Sequence, residues 1–567
     1  MRPPCPDLTF RRGKGKLTPA FTAERNERMP DKRWKTEYLP TAFLLLVILG
    51  YLAVFTVIDF KGFARLATSD MYEDTLVARL MWEKKSLFPD NYLFGNQFYV
   101  IATPVLSALF YGVTGSMNRA MALATGCMSV FLLLAMDWML RPVLPRPAPR
   151  AAAVLVFLAS LFGPYTVFRE DGQQLFFAMC SFYACYLLCF FVVLGDYLRA
   201  RREETRRLPA LLLSLFLCFC TGMQSLRQTC ILILPLLGME GLHALVCLPQ
   251  KQAPWPKGAR MRLWRVLGYT AANLAGTALI RLLPVRRHEI YGGASIFSGA
   301  SVAEKLRETL TALVTVTGYD YTREGDGRIF YILMFLTTVG LVFAAFLLLV
   351  KKKRPLQGAA VFWLLSLIGC LAVIAASFVT SVRLRPIYLF LWYTLPAFSY
   401  AVIAERARPR LLAGLTAGLC VLAAANLYFS YRDDLRIALS ADPWPAQEAA
   451  DWALDNGYEL VYGNQSMSAP AVAVCADGAL TAGCWQDDFP YKVSPHINIR
   501  DIYRLADAER AVFVFLATEE EAMVAEAEAN GVEMTFRGAY GYYRLYTASG
   551  QCLWPITETI DYVPEYN

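Results

Sequence analysis

The chain has 567 residues, 56% hydrophobic and 18% charged, with a net charge of +8 and a mean hydropathy of +0.37. That charge content is too low for a soluble protein of this length. The basic residues sit in short clusters between apolar runs and form no single face, which excludes nucleic acid as a partner and matches the positive-inside pattern of membrane proteins.

Residues 1–38 are polar, basic and rich in Pro and Gly, and read as a disordered cytoplasmic tail. The run 39–58 is too long for a signal-peptide core and lacks a small-residue cleavage site, so it reads as an uncleaved first membrane helix. Directly after it comes "TSDMYEDTLVARLMWEKKSLFPDNY". Asp70, Glu73 and Asp74 share one face of a predicted helix there, where like charges repel. An acidic group at a helix start is ordinarily a solvated end that suits the macrodipole. This trio has no neighbouring base, and a carboxylate so placed could take a proton from a hydroxyl or bind a divalent cation.

Further apolar runs follow at roughly 98–115, 118–140, 151–168, 175–198, 208–222, 229–248, 264–283, 329–350, 358–380, 387–404 and 411–429. If all of them spanned, the basic clusters 141–150 and 199–207 would face outward. Laying "FYVIATPVLSALFYGVTG" (98–115) along the outer interface removes the conflict, because every later segment then changes side. The prediction is a polytopic α-helical membrane protein with about 11 transmembrane helices, interfacial helices in a first outer loop (59–117), and a membrane domain over 39–429. The N-terminus is expected in the cytoplasm and the C-terminus outside. Residues 430–567 read as a small extracytoplasmic α/β domain: an amphipathic helix stopped by Gly457, then strand, strand, helix, strand, strand.

The outer side then holds the acidic trio, the second-loop residues Arg169, Glu170 and Asp171, then Arg227, Arg383 and Arg385. Each of these arginines could simply snorkel at a helix end. But outer connections disfavour Arg, and two within three residues call for an anion such as a lipid phosphate. Tyr92, Phe94, Phe98 and Tyr99 read most simply as an interface belt, and Arg169, Glu170 and Asp171 as an ordinary loop. Asp137, Glu240 and His243 lie near inner helix ends, within snorkelling reach. Most of the 14 cysteines lie in apolar runs as small hydrophobes. Cys475 and Cys484 could bridge outside the membrane or stay free.

The pattern resembles the GT-C superfamily of integral-membrane glycosyltransferases. "SDMYEDTLVARLMWEKKSLFPDNY" with "FYVIATPVLSALFYGVTG" is similar to the acidic first loop of that family, and "RLRPIYLFLWYTLPAF" to its late Arg-plus-aromatic helix start, although Pro386 and Ile387 break the usual Arg-Tyr pair. "SLRQTCILILPLL" is similar to a segment of uncharacterised bacterial members. The resemblance implies transfer of a sugar from a polyprenyl-phosphate donor to a glycan, lipid or protein acceptor outside the cell membrane. It implies Asp70 as catalytic base and Arg385 as donor-phosphate ligand, with inversion. A transporter or flippase of lipid-linked saccharides, a polymerase or ligase using the loop 284–328, and an envelope scaffold are the alternatives.

Overall fold

The computed structural model describes residues 39–92, 94, 97–160, 176–179, 181–201, 208–247, 257–285, 302–316, 328–351, 358–380, 384–466, 468–486, 489–493, 511–529 and 531–550. Helix α1 (Leu39–Val57) continues through one wide turn, Ile58–Gly62, into Phe63–Leu66. The wide turn holds Asp59, which is buried and accepts the Met179 backbone N–H at 2.6 Å. The carbonyl of Met179 in turn accepts the Thr125 hydroxyl at 3.0 Å. Met179 and Ser181 both have positive φ, near +50°. Such backbone is strained in residues other than glycine and persists where its surroundings dictate it; here the Asp59 carboxylate does so from below.

Helix α2 (Ser69–Glu83) carries the acidic trio, and α3 (Thr103–Thr114) follows it. At 12 residues α3 is about 18 Å long, well short of a bilayer core of about 30 Å. It buries Thr103, Pro104, Ser107 and Ala108 and exposes Leu109 and Val113, as an interfacial helix would. The membrane domain continues with α4 (Met117–Leu140), α5 (Pro147–Ser160), α6 (Ala184–Arg201), α7 (Leu208–Gln224), α8 (Leu234–Cys247), α9 (Lys257–Leu282), α10 (Val302–Val316), α11 (Arg328–Lys351) and α12 (Ala359–Val379). A tight 3-10 segment, Pro386–Thr394, leads into α13 (Leu395–Ala404), and α14 (Pro409–Leu439) closes the series.

Among the described residues, six helices are long and apolar enough to cross a membrane, against the roughly eleven expected. They are Leu39–Leu66, Met117–Leu140, Ile332–Lys351, Ala359–Val379, Pro386–Ala404 and Pro409–Leu439. Four further apolar helices of 10–17 described residues are Thr103–Thr114, Pro147–Ser160, Leu208–Gln224 and Thr229–Leu242. Helices α6, α8 and α9 carry charge, which is costly in hydrocarbon unless neutralised by a partner. Asp196 on α6 is paired with Arg265 on α9 and accepts the Tyr269 hydroxyl at 2.5 Å. Glu240 on α8 takes Arg262 at 3.0 Å and the Tyr197 hydroxyl, and Asp137 takes Arg150 at 2.8 Å and Arg141 at 2.9 Å. Glu240 and Asp137 are therefore paired rather than snorkelling. Helices α7 and α9 touch through glycine: a Cβ at Gly222 or Gly276 would strike a carbonyl of the facing helix.

The C-terminal domain begins with α15 (Pro445–Asp455), ended by Gly457 at φ +78°. Then come β1 (Leu460–Asn464), α16 (Ala469–Cys475), β2 (Thr481–Gln486), β3 (Phe489–Val493), β4 (Ala511–Leu516), α17 (Glu520–Ala529), β5 (Val532–Tyr540) and β6 (Tyr543–Gly550). The strands form one sheet in the order β3-β2-β1-β4-β6-β5, with β1 parallel to both neighbours. Cys475 and Cys484 are both free thiols. The domain sits directly on α2: Ala482 N–H donates to the Tyr72 hydroxyl at 2.8 Å, and Arg79 donates to the Gly478 carbonyl at 2.8 Å. Asn118, at the start of α4, adds contacts to Asp477 and Val474 at 2.8 and 2.9 Å. The acidic helix is thus clamped between the membrane domain and the sheet.

Candidate active site at one mouth of the helix bundle

The three carboxylates of α2 occupy three different environments. Asp70, in the first turn, is exposed; Glu73 is partly buried; Asp74 is buried at 3% exposure. Glu73 accepts the Tyr92 hydroxyl at 2.6 Å, and Asp74 is hydrogen-bonded to Tyr99. Burial pushes the Glu73 carboxyl up to about 7, against the pull of the Tyr92 hydrogen bond and with a push from Asp70. Burial raises Asp74 well above the usual carboxylate range, with Tyr99 opposing and Glu73 and Asp70 adding to the rise. Crowding is therefore tolerable: near neutral pH the trio does not carry three full charges.

This gives a pH prediction with a definite sign. Glu73 binds its proton more tightly folded (about 7) than at its ordinary 4.5. The stability it contributes is present in full below about 4.5 and is lost as pH rises through about 7. Glu73→Gln, which mimics the protonated form, is expected to gain thermal stability relative to the native protein as pH is raised across that window. Parallel Tm-against-pH curves for the two proteins would refute the assignment.

The aromatic series after α2 is not an interface belt. Tyr92, Phe94, Phe98 and Tyr99 are all buried, with ring centroids 5.0 Å apart for Tyr92–Phe94 and 5.3 Å for Phe94–Phe98. They form a packed floor under the carboxylates, and the two tyrosines turn their hydroxyls to Glu73 and Asp74.

A polar chain runs from this floor to Arg227. Tyr99 is hydrogen-bonded to Gln97 as well as to Asp74. The Gln97 side-chain oxygen accepts Arg227 at 2.6 Å and the Tyr186 hydroxyl at 3.2 Å. The guanidinium of Arg227 lies over the rings of Tyr183 and Tyr186, 5.2 and 5.9 Å from their centroids. Tyr183 stacks on Phe390 at 4.8 Å, which brings in the 3-10 segment that starts just after Arg385. Gln224 locks the arrangement: its side-chain oxygen accepts the N–H groups of Val100 and Ile101 at 3.1 and 2.7 Å, and its carbonyl accepts that of Phe98 at 3.0 Å. The acidic first loop, the turn before the wide helix at Thr229, and the late 3-10 segment therefore converge.

Sequence reasoning placed Asp70, Glu73, Asp74, Arg227 and Arg385 on one side, and the structure links the first loop to Arg227 through Gln97 and Tyr99. Arg383, Arg169, Glu170 and Asp171 lie outside the described residues. Gln97, Tyr186 and Gln224 were missed, since a glutamine or tyrosine near apolar sequence carries no motif. Among the described residues, no group of three or more His, Cys, Asp or Glu side chains could hold a metal ion.

The chain is a bundle of apolar helices with an acidic first loop and a small α/β domain docked on that loop. Its fold matches that of ArnT from Cupriavidus metallidurans bound to undecaprenyl phosphate, with a TM-score of 0.53 and 13% identity over 90% of this chain and 98% of that one. ArnT from the same organism in the apo state also matches, with a TM-score of 0.47 at 13% identity over the same shares of the two chains. No protein-family model and no curated protein matches the sequence.

Proposed function

We propose that the protein is a membrane glycosyltransferase that moves a sugar from a polyprenyl-phosphate donor to an acceptor on the outer face of the cell membrane. The observation that carries this reading is the convergence of the acidic helix and Arg227 within a fold shared along 90% of the chain with ArnT, whose structure holds undecaprenyl phosphate. In this reading the N-terminus is cytoplasmic and the C-terminal domain extracytoplasmic. The donor's lipid lies in the bilayer, its phosphate reaches the interface near Arg227 and Arg385, and its sugar projects towards α2.

The chemistry is a single displacement. The acceptor hydroxyl oxygen forms a bond to the anomeric carbon as the bond from that carbon to the phosphate oxygen breaks, with inversion. Asp70, the exposed carboxylate, takes the hydroxyl proton. Arginine stabilises the negative charge that collects on the departing polyprenyl phosphate. Glu73 and Asp74, buried against Tyr92 and Tyr99, hold α2 in place.

The test is transfer by the full chain in nanodiscs, using radiolabelled polyprenyl-phosphate sugars and an envelope extract as acceptor. Release of polyprenyl phosphate together with label on the acceptor is the expected result. Movement of intact donor between leaflets without bond cleavage would instead make the protein a flippase, and no turnover of any donor would remove the enzyme reading.

A further inference from the structure

We infer that the α/β domain carries its own saccharide-binding crevice, at its seam with the segment that leads into α2. In an open α/β sheet, ligands bind beyond the carboxyl ends of the strands, where the chain leaves neighbouring parallel strands in opposite directions. Here that point lies between β1 and β4. From β1 the chain passes through α16 to β2 on one side; from β4 it passes through α17 to the β5–β6 pair on the other. A cavity of about 360 Å³ opens at this point. Ser466 lies just past the end of β1, Thr518 just past β4, and Tyr542 in the turn beside them. The opposite wall comes from Arg65 and Ser69 of the first outer loop, and Trp444 closes the end.

The lining selects a chemical class. Trp444 and Tyr542 give flat apolar surface, backed by the buried Tyr543, while Ser69, Ser466 and Thr518 give hydroxyls. Among the described residues of the lining, Arg65 is the one charged side chain, and its guanidinium donates to the carbonyls of Ile437 and Asp442 at 3.2 and 3.0 Å. The crevice thus offers aromatic faces and neutral hydroxyls, with one guanidinium held in place by backbone carbonyls at its edge. A ligand with an apolar ring face and a rim of hydroxyl groups suits it, which describes a sugar.

The aromatic wall is built in advance. Gly541, at φ +56°, turns the chain between β5 and β6, and a Cβ there would meet Pro445, which follows Trp444. The Tyr542 carbonyl accepts the Ala517 N–H at 2.8 Å, and the rings of Tyr542 and Tyr543 lie 4.4 Å apart. Tyr542 itself is 48% exposed, so its ring is available to stack on a ligand.

Ser69 in the wall immediately precedes Asp70 in the chain, so the crevice abuts the first turn of the helix that carries the proposed base. Calling a sugar bound there the acceptor rests on the transferase reading; its binding does not. The test is saturation-transfer NMR on the full chain in nanodiscs with maltotriose, cellotriose and triacetylchitotriose as probes. At least one is expected to bind, with affinity lowered tenfold or more by Tyr542→Ala and by Thr518→Trp, which fills the cavity from an exposed position. Asp70→Asn is expected to keep binding. If none of the three binds, or if binding survives both crevice variants, the inference is overturned even where sugar transfer proceeds. If the crevice binds while Asp70→Asn leaves turnover intact, the saccharide site stands and the transferase mechanism falls.

Discussion

Asp70→Asn is expected to lower turnover by about 10²–10⁴-fold, the usual worth of a general base, while donor binding is kept. The argument rests on the different environments of the three acids rather than on their number. Asp70 is the exposed member, at the first turn of α2, where solvent and substrate can reach it. Glu73 and Asp74 are turned against Tyr92 and Tyr99, and burial raises both. At a working pH below about 7, a Gln at Glu73 resembles the proton-bearing acid already there, and burial biases Asp74 in the same direction. Those two substitutions should therefore cost far less than Asp70→Asn. Initial rates at saturating donor, with separate measurement of donor affinity, distinguish the cases. If Asp74→Asn abolishes turnover and Asp70→Asn does not, the base has been assigned to the wrong carboxylate. If all three substitutions leave rates unchanged, the trio is structural.

How much of this was legible in the sequence follows from the range of the interactions involved. The acidic face of α2 is a local feature of spacing, so Asp70, Glu73 and Asp74 could be read directly. The short run that holds α3 was visible too, with Pro104 inside it and Tyr and Phe at both ends; the structure ends the helix at Gly115, at φ +64°. In the C-terminal domain, β1, β4, α17, β5 and β6 followed from alternation and from their glycine breaks. Strand β2 and helix α16 were missed, since the stretch "APAVAVCADGALTAGCWQ" is dominated by small residues with weak periodicity, and the five-residue β3, which contains Pro490, was missed as well. The fate of the aromatic series was not readable at all. Whether Tyr92 and Tyr99 face lipid or cover carboxylates depends on where Gln224, more than a hundred residues later, fastens the chain. Charges such as Asp196 and Arg265 interrupt the apolar pattern of their helices, and their pairing across the fold offsets the cost of placing them beside lipid.

The second large effect concerns Arg227. Arg227→Gln is expected to weaken binding of undecaprenyl phosphate by about 10- to 100-fold, in line with about 1.5–3 kcal/mol for a hydrogen bond to a charged group. The guanidinium is held from two directions: Gln97 accepts from it at 2.6 Å, and the rings of Tyr183 and Tyr186 lie beneath it. These contacts fix its plane without neutralising its charge, since glutamine and tyrosine are both neutral partners. An arginine kept charged and oriented in this way is suited to an anion arriving from the bilayer. Arg227→Lys keeps the charge but loses the fork and the stacking, so it should recover only part of the affinity. Gln97→Leu should weaken binding less than Arg227→Gln, because it frees the guanidinium without removing it. Binding of undecaprenyl phosphate can be followed by native mass spectrometry on nanodisc-held protein, with the melting temperature as the control for folding. Unchanged affinity in Arg227→Gln would mean that the side chain merely snorkels at a helix end. Lost affinity with a collapsed melting temperature, and no rescue by lysine, would mean that it holds the first loop in place and leaves the phosphate to Arg385 and its neighbours.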